Sequence, residues 1–285
     1  MTVALSRNPD QFVRPRHPRL SLNLFSLGNT TLVEDLAFVE SSHVPGIGLP
    51  VAKLDSMGWE AGLDLVSSLH LAVTNLLHGQ LFTLDEQSTW DHDSERLRRT
   101  VDAAVTLGAH CVYGIAGPAG NLTWEEAAAA LQQALTPVIE YASAAGVRLA
   151  LETSNPLRAG VNFIHCAKDA LDIAEALDIG VCVDVFTCWA ERGLHDTLRR
   201  AGERLDLVQL SDFVLGTMEV PNRAVPGDGH IPLERFVKWV LDASYVGWFD
   251  VKIFGARIDN EGHAAAIERS LTYVSDLLYR LLTPA

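Results

Sequence analysis

Basic residues are in short supply in this 285-residue chain: 22 Lys and Arg stand against 36 Asp and Glu, a formal net charge of −14. A surface that negative repels phosphate backbones and anionic lipid, so neither nucleic acid nor a membrane is an expected partner. A small phosphorylated substrate, which meets only a local field, is not excluded. Cysteine is scarce as well. Cys111, Cys166, Cys182 and Cys188 form no CxxC pair, and Cys111 and Cys182 lie in apolar runs, where a buried thiol packs like a small hydrophobe. No disulfide framework is expected, and a reducing cytoplasm is the default compartment. No apolar run is long enough to span a bilayer, and Asn8, Asp10 and Gln11 fall where a signal peptide needs an apolar stretch. The chain has neither a GxGxxG turn after its first apolar run nor a P-loop, so no nucleotide cofactor is expected.

What the chain does have is alternation. Short apolar runs of β type cover Leu20–Leu24, Gly46–Pro50, Leu69–Leu77, His110–Ile115, Arg148–Glu152, Gly180–Asp184, Leu205–Leu210 and Trp248–Ile253. They are rich in Val, Ile and Leu without strict alternation, as strands buried on both faces require. Helix-period segments separate them, among them Ser94–Leu107, Trp124–Ala145, Ala167–Leu177, Leu233–Ala243 and His263–Leu282. Polar residues from Asn121 to Thr123 followed by Glu125 and Glu126 mark a helix start, where the dipole favours negative charge. Gly108 and Gly146 fall where helices should stop. Eight strand–helix units predict one α/β domain, a (β/α)₈ barrel over residues 19–285, preceded by a loose amino-terminal arm over residues 1–18.

In such a barrel the loops after the strands build the active site, so the informative polar residues are those at strand ends: Asn23, His78, Glu152, Asp184, Gln209, Asp212 and Lys252. Four of them, Glu152, Asp184, Gln209 and Lys252, sit in strongly apolar runs late in the chain. Ionised groups are costly there unless they meet each other or a cation.

From about the third strand onward, and most specifically over residues 148–254, the chain resembles the xylose-isomerase-like barrels of the sugar-phosphate isomerase and epimerase group. Arg223, then Pro226-Gly227-Asp228-Gly229-His230-Ile231, Phe236 and Tyr245-Val246-Gly247-Trp248 carry the likeness. It implies a divalent metal (Mn, Mg, Co or Zn) held by Glu152, Asp184 and Gln209, the Gln being similar to the hydroxypyruvate-isomerase branch. It also implies Arg223 as a substrate contact, with His78, Thr187 and Asp212 as further candidates on the substrate side. Two positions depart from the family pattern. Lys252 stands where the family has the Glu that is both metal ligand and acid/base, and Thr187 stands where it often has a substrate-binding His. His78 is where a nuclease branch has a zinc-binding His, and is otherwise a hydrogen-bonding rim residue. Asp212 either orients Gln209 or caps a loop.

Two readings of the late cluster follow. Either Lys252 takes the cation's place and neutralises the carboxylates internally, or a weaker metal site survives on Glu152, Asp184 and Gln209 with His78 or water. Both lead to proton abstraction beside a carbonyl, with Glu152 as base and Lys252 as the second catalytic group. The expected protein is thus an isomerase or epimerase of a small sugar-like hydroxy-carbonyl compound. A lyase using the same enolate and a barrel that has lost catalysis are the alternatives. Phe186, Trp189, Phe213 and Met218 follow strands six and seven and hint at a pocket less polar than a simple sugar needs. A small-molecule substrate is the expected partner; self-association into a homo-oligomer, common in such barrels, is left open.

Overall fold

A computed structural model describes residues 15–69 and 71–282. Eight parallel strands, β1 (Leu20–Asn23), β2 (Gly46–Pro50), β3 (Ala72–Gln80), β4 (Cys111–Ile115), β5 (Arg148–Glu152), β6 (Gly180–Asp184), β7 (Leu205–Leu210) and β8 (Phe249–Val251), close in sequence order into a barrel. The seam pairs β1 with β8, Ser21 opposite Asp250. The outer layer is α1 (Leu32–Ser42), α2 (Val51–Met57), α3 (Trp59–Ser67), α4 (Trp90–Leu107), α5 (Trp124–Ala144), α6 (Ala167–Leu177), α7 (Val185–Cys188), α8 (Leu194–Ala201), α9 (Leu233–Asp242), α10 (Ala256–Glu261) and α11 (His263–Leu282). No helix among the described residues is long and apolar enough to cross a membrane.

The period of two along each strand divides the core into two compartments. Leu149 and Leu151 of β5, Val181 and Val183 of β6, and Val208 and Leu210 of β7 pack outward in one continuous cluster with the helices. Residues at the alternate strand positions, Cys111 and Tyr113 of β4, Ala150 of β5, Cys182 of β6 and Leu207 of β7, form a separate, smaller cluster inside the barrel. Above that plug the inward positions become polar: Asn23, Glu152, Asp184 and Gln209, all buried. Gly48 makes part of this possible, because a Cβ there would lie 2.7 Å from Asn75 Oδ1 and 3.0 Å from Asn23 Nδ2.

The helix punctuation agrees with its physics. Thr123 accepts from the backbone of Glu126 and the Glu126 side chain returns to Thr123, a complete capping box on α5. Gly108 ends α4 in the left-handed conformation at φ 64°. Several expected boundaries shift: β8 is shorter than its apolar run and leaves Lys252 just past the strand, and α4 begins four residues earlier, at Trp90. β3 begins three residues later and ends three residues later than its apolar run, because His78-Gly79-Gln80 continue the ladder, with Gly79 opposite Gly114 and Gln80 opposite Ile115. The expected arm lies outside the described residues as far as residue 14. Its last part is docked: Arg16 donates to Glu268 and Thr272, and the His17 amide to Ser275, all on α11.

Candidate active site

Lys252 follows β8 directly, its amide bonded to Leu210 O, and its side chain enters the mouth of the barrel. Its Nζ donates to Glu152 Oε1 at 2.5 Å and to Gln209 Oε1 at 3.0 Å. All three residues are buried. Gln209 is oriented from beneath. Its Nε2 donates to the Tyr113 hydroxyl at 2.9 Å and to Asp250 Oδ2 at 3.1 Å, which turns its carbonyl oxygen to the ammonium. Asn23 donates to the same two acceptors, and Ser21 Oγ donates to Asp250 Oδ1 at 2.6 Å. Burial pushes the Asp250 carboxyl up, against the pull of these hydrogen bonds. Burial also pushes Glu152 up, more than Lys252 draws it down.

Asp184 has a different partner. Arg223 grips it with both terminal nitrogens, at 2.9 Å to Oδ1 and 2.6 Å to Oδ2, the bidentate geometry that makes guanidinium–carboxylate pairs strong. The guanidinium is sandwiched between Phe186 and Phe254, 4.5 and 4.6 Å from the ring centroids. Burial opposes ionisation of Asp184, but the guanidinium outweighs it and holds the carboxyl below its ordinary range. Arg223 reaches this place because its loop is folded back. Its amide bonds to Phe254 O, and Ala224 forms an antiparallel bridge with Asp212. Gly255 permits the approach: at φ 112° it lies so near this loop that a Cβ would stand 2.6 Å from Pro221 O.

Asp212 organises that loop and is not among the residues that line the cavity. Its carboxylate accepts from four backbone amides, those of Phe213, Gly227, Gly229 and Ile231, and does not bond to Gln209. His78 also moves out of the site. Because β3 runs through it, the ring faces the helical layer, where Nδ1 meets Thr100 Oγ1 at 2.8 Å. Burial there lowers its pKa to about 4, so it is a neutral packing residue. Thr187 is at the rim as expected, paired with the Thr153 hydroxyl and bonded to Asp184 O.

Glu152, Lys252, Arg223, Thr153 and Thr187 line one cavity of about 330 Å³ at the carboxyl-terminal mouth, within the range of small-molecule sites. Phe25, Phe186 and Phe254 supply apolar walls. Of the aromatic and apolar candidates on these loops only Phe186 faces it; Trp189 and Phe213 pack on the core, and Met218 is exposed. Sequence reasoning missed Asp250 and Tyr113. For Asp250 the signal was present, since it alternates with Lys252 and shares its inward face.

The arrangement tests the implied metal directly. Glu152, Asp184 and Gln209 are the oxygen donors such an ion would need, yet Glu152 and Gln209 converge on an ammonium and Asp184 gives both oxygens to a guanidinium. A divalent ion would have to displace a cation already bonded to each carboxylate. Among the described residues no group of three or more His, Cys, Asp or Glu is placed to hold one. The donor set does not fit a metal in this arrangement.

Solved structures superpose closely on this chain. Protein SMc04130 from Sinorhizobium meliloti 1021 is 25% identical with a TM-score of 0.83, over 94% of this chain and 99% of that one. IolI, solved with a bound zinc atom, is 20% identical with a TM-score of 0.80, over 93% and 100%. D-psicose 3-epimerase from Clostridium cellulolyticum H10, solved with D-tagatose, is 15% identical with a TM-score of 0.76, over 92% and 98%. The last two likenesses speak to the fold alone. No curated protein sequence matches the chain. The profile of one family does match, over residues 38–274, and the chain belongs to that family, the xylose isomerase-like TIM barrels.

Proposed function

We propose that the chain is an isomerase of a small hydroxy-carbonyl compound that works by enolisation without a metal, Lys252 standing where the ion would act. The observation that carries this reading is the pair at the cavity floor. Glu152 Oε1 is bonded to Lys252, while its Oε2 accepts no hydrogen bond from the described residues. The ammonium has three donors and spends two, on Glu152 and Gln209.

Glu152 takes the proton from the carbon beside the carbonyl, and the remaining N–H of Lys252 donates to the carbonyl oxygen as it becomes an enolate. Lys252 passes a proton to that oxygen and accepts one from the neighbouring hydroxyl. Glu152 then returns its proton to the adjacent carbon, so the two groups end as they began. A carboxyl raised by burial is a better base near neutral pH than an exposed one. A donor aimed at a developing oxyanion in such a site contributes roughly 3–4 kcal/mol.

Among the described residues Glu152 is the one carboxylate that lines the cavity, and Arg223 holds both oxygens of Asp184. That favours a single-base shift between adjacent carbons over inversion of one carbon, which needs an acid on the opposite face. The same feature supports a second reading, a syn elimination in which Glu152 removes the proton and Lys252 protonates the leaving hydroxyl. The test is exchange of solvent deuterium into candidate hydroxy-ketones and hydroxy-aldehydes. Glu152→Gln should slow it by about 10²–10⁴-fold, and dialysis against a chelator should leave it unchanged. Full exchange in the Gln variant would remove the base; loss on chelation, restored by Mn, would reinstate the metal.

A further inference from the structure

We propose that the substrate carries a carboxylate, and that Arg158, at the tip of the loop after β5, binds it. This rests on the reading above for the location of the site and adds the charge of what enters it. Four charged side chains line the cavity: Lys252, Arg223, Arg158 and Glu152. Asp184 lies directly behind Arg223 and neutralises it, and Glu152 neutralises Lys252. Arg158 is left over. It has no ion pair and no side-chain hydrogen bond among the described residues, although the molecule as a whole has a strong excess of acids.

The loop that carries Arg158 is built and pinned. Asn155 Oδ1 accepts from Leu157 N at 2.9 Å and opens a single 3₁₀ turn, Pro156–Arg158. Ser154 N bonds to Ile164 O across the neck of the loop, and the buried Asn162 ties it to Glu152 O at 3.0 Å. The guanidinium is therefore presented on a loop fastened to the same strand end as the base.

The surplus at the cavity is one positive charge. A carboxylate matches it with a single negative charge, whereas a phosphate monoester brings about −1.5 to −2 at neutral pH. The aromatic walls ask for an apolar body beside the anionic group. A hydroxy-2-oxo acid with a branched or aryl side chain combines both with the hydroxy-carbonyl unit of the proposed reaction. The parent 2-oxo acids, which lack the hydroxyl, serve as probes of binding alone.

The test is titration calorimetry with two such acids, 4-methyl-2-oxopentanoate and phenylpyruvate, each beside its uncharged methyl ester, and with phenyl phosphate. Each acid should bind at least about tenfold more tightly than its ester, and Arg158→Ala should remove that preference while leaving ester binding in place. Arg158→Lys should restore part of it. Equal binding of acid and ester, an acid affinity untouched by Arg158→Ala, or tighter binding of phenyl phosphate than of either acid would overturn the assignment. Acid binding retained in Glu152→Gln, in a protein whose proton exchange that substitution leaves intact, would sink the proposed chemistry and leave this inference standing.

Discussion

Removing Arg223 strands Asp184, which is fully buried and would keep one backbone donor, Phe186 N. Breaking a buried pair by deleting one partner costs about 3–5 kcal/mol, because the remaining charge has no water to return to. Arg223→Ala should lower the free energy of unfolding in urea by that amount at neutral pH. Arg223→Lys should recover only part of it, since an ammonium keeps the charge and loses both the fork and the stacking between Phe186 and Phe254. The pH dependence has a definite sign. The folded-state pKa of Asp184 is depressed, so the pair's contribution is complete above the ordinary Asp range and fades as pH falls through the folded value. The gap between wild type and Ala variant should close in acid; a gap under about 1 kcal/mol at neutral pH would show that the clamp is not structural. Arg223 was legible as a site residue only through resemblance, and as a substrate contact. That it grips Asp184, 39 positions away, depends on a loop fold that no local pattern announces.

At the scale of elements, the start of α6 is a place where pH should act. Glu191, in the connection between α7 and α8, accepts from Ala167 N at 2.7 Å and so caps that helix. Burial pushes its carboxyl up to about 7, against the hydrogen bonds from Ala167 and Lys168. A raised pKa means that the folded state favours the protonated form. Its contribution is complete below the ordinary Glu value and is lost as pH rises through about 7. Glu191→Gln keeps the acceptor and cannot ionise. The melting temperature of wild type should therefore fall relative to that of the variant between about pH 5 and pH 8; a constant difference would dismiss the account. Elements themselves were readable where burial on both faces writes a long apolar run, as in β5, β6 and β7, whose ends match expectation. β3 was misplaced because His78, Gly79 and Gln80 look like a loop. They stay in the ladder through a register shift between Leu77 and Gly79, which periodicity cannot register. That shift is also what sends His78 outward.

For the whole molecule, charge and cavity have opposite signs. The chain totals −14, while its mouth gathers Lys252, Arg223 and Arg158 against one lining carboxylate. The net value was plain from composition, and so was the sign of the field met at long range. The local reversal was not, because it arises only when loops from three different strands bring their cations to one opening. The two fields act over different ranges. At low ionic strength the long-range one reaches far beyond the molecule, and an approaching anion is repelled before it can meet the mouth; near 0.1 M salt the Debye length is about 10 Å and that repulsion is screened. Once inside the cavity, the anion is within a few ångströms of Arg158, where salt screens little. Raising salt from about 0.01 to 0.15 M should therefore speed association of a 2-oxo acid, leave that of its methyl ester unchanged, and weaken neither complex strongly. Stopped-flow association rates across that range decide the matter: an acid on-rate that falls with salt would mean that the positive mouth, and not the acidic surface, governs the approach.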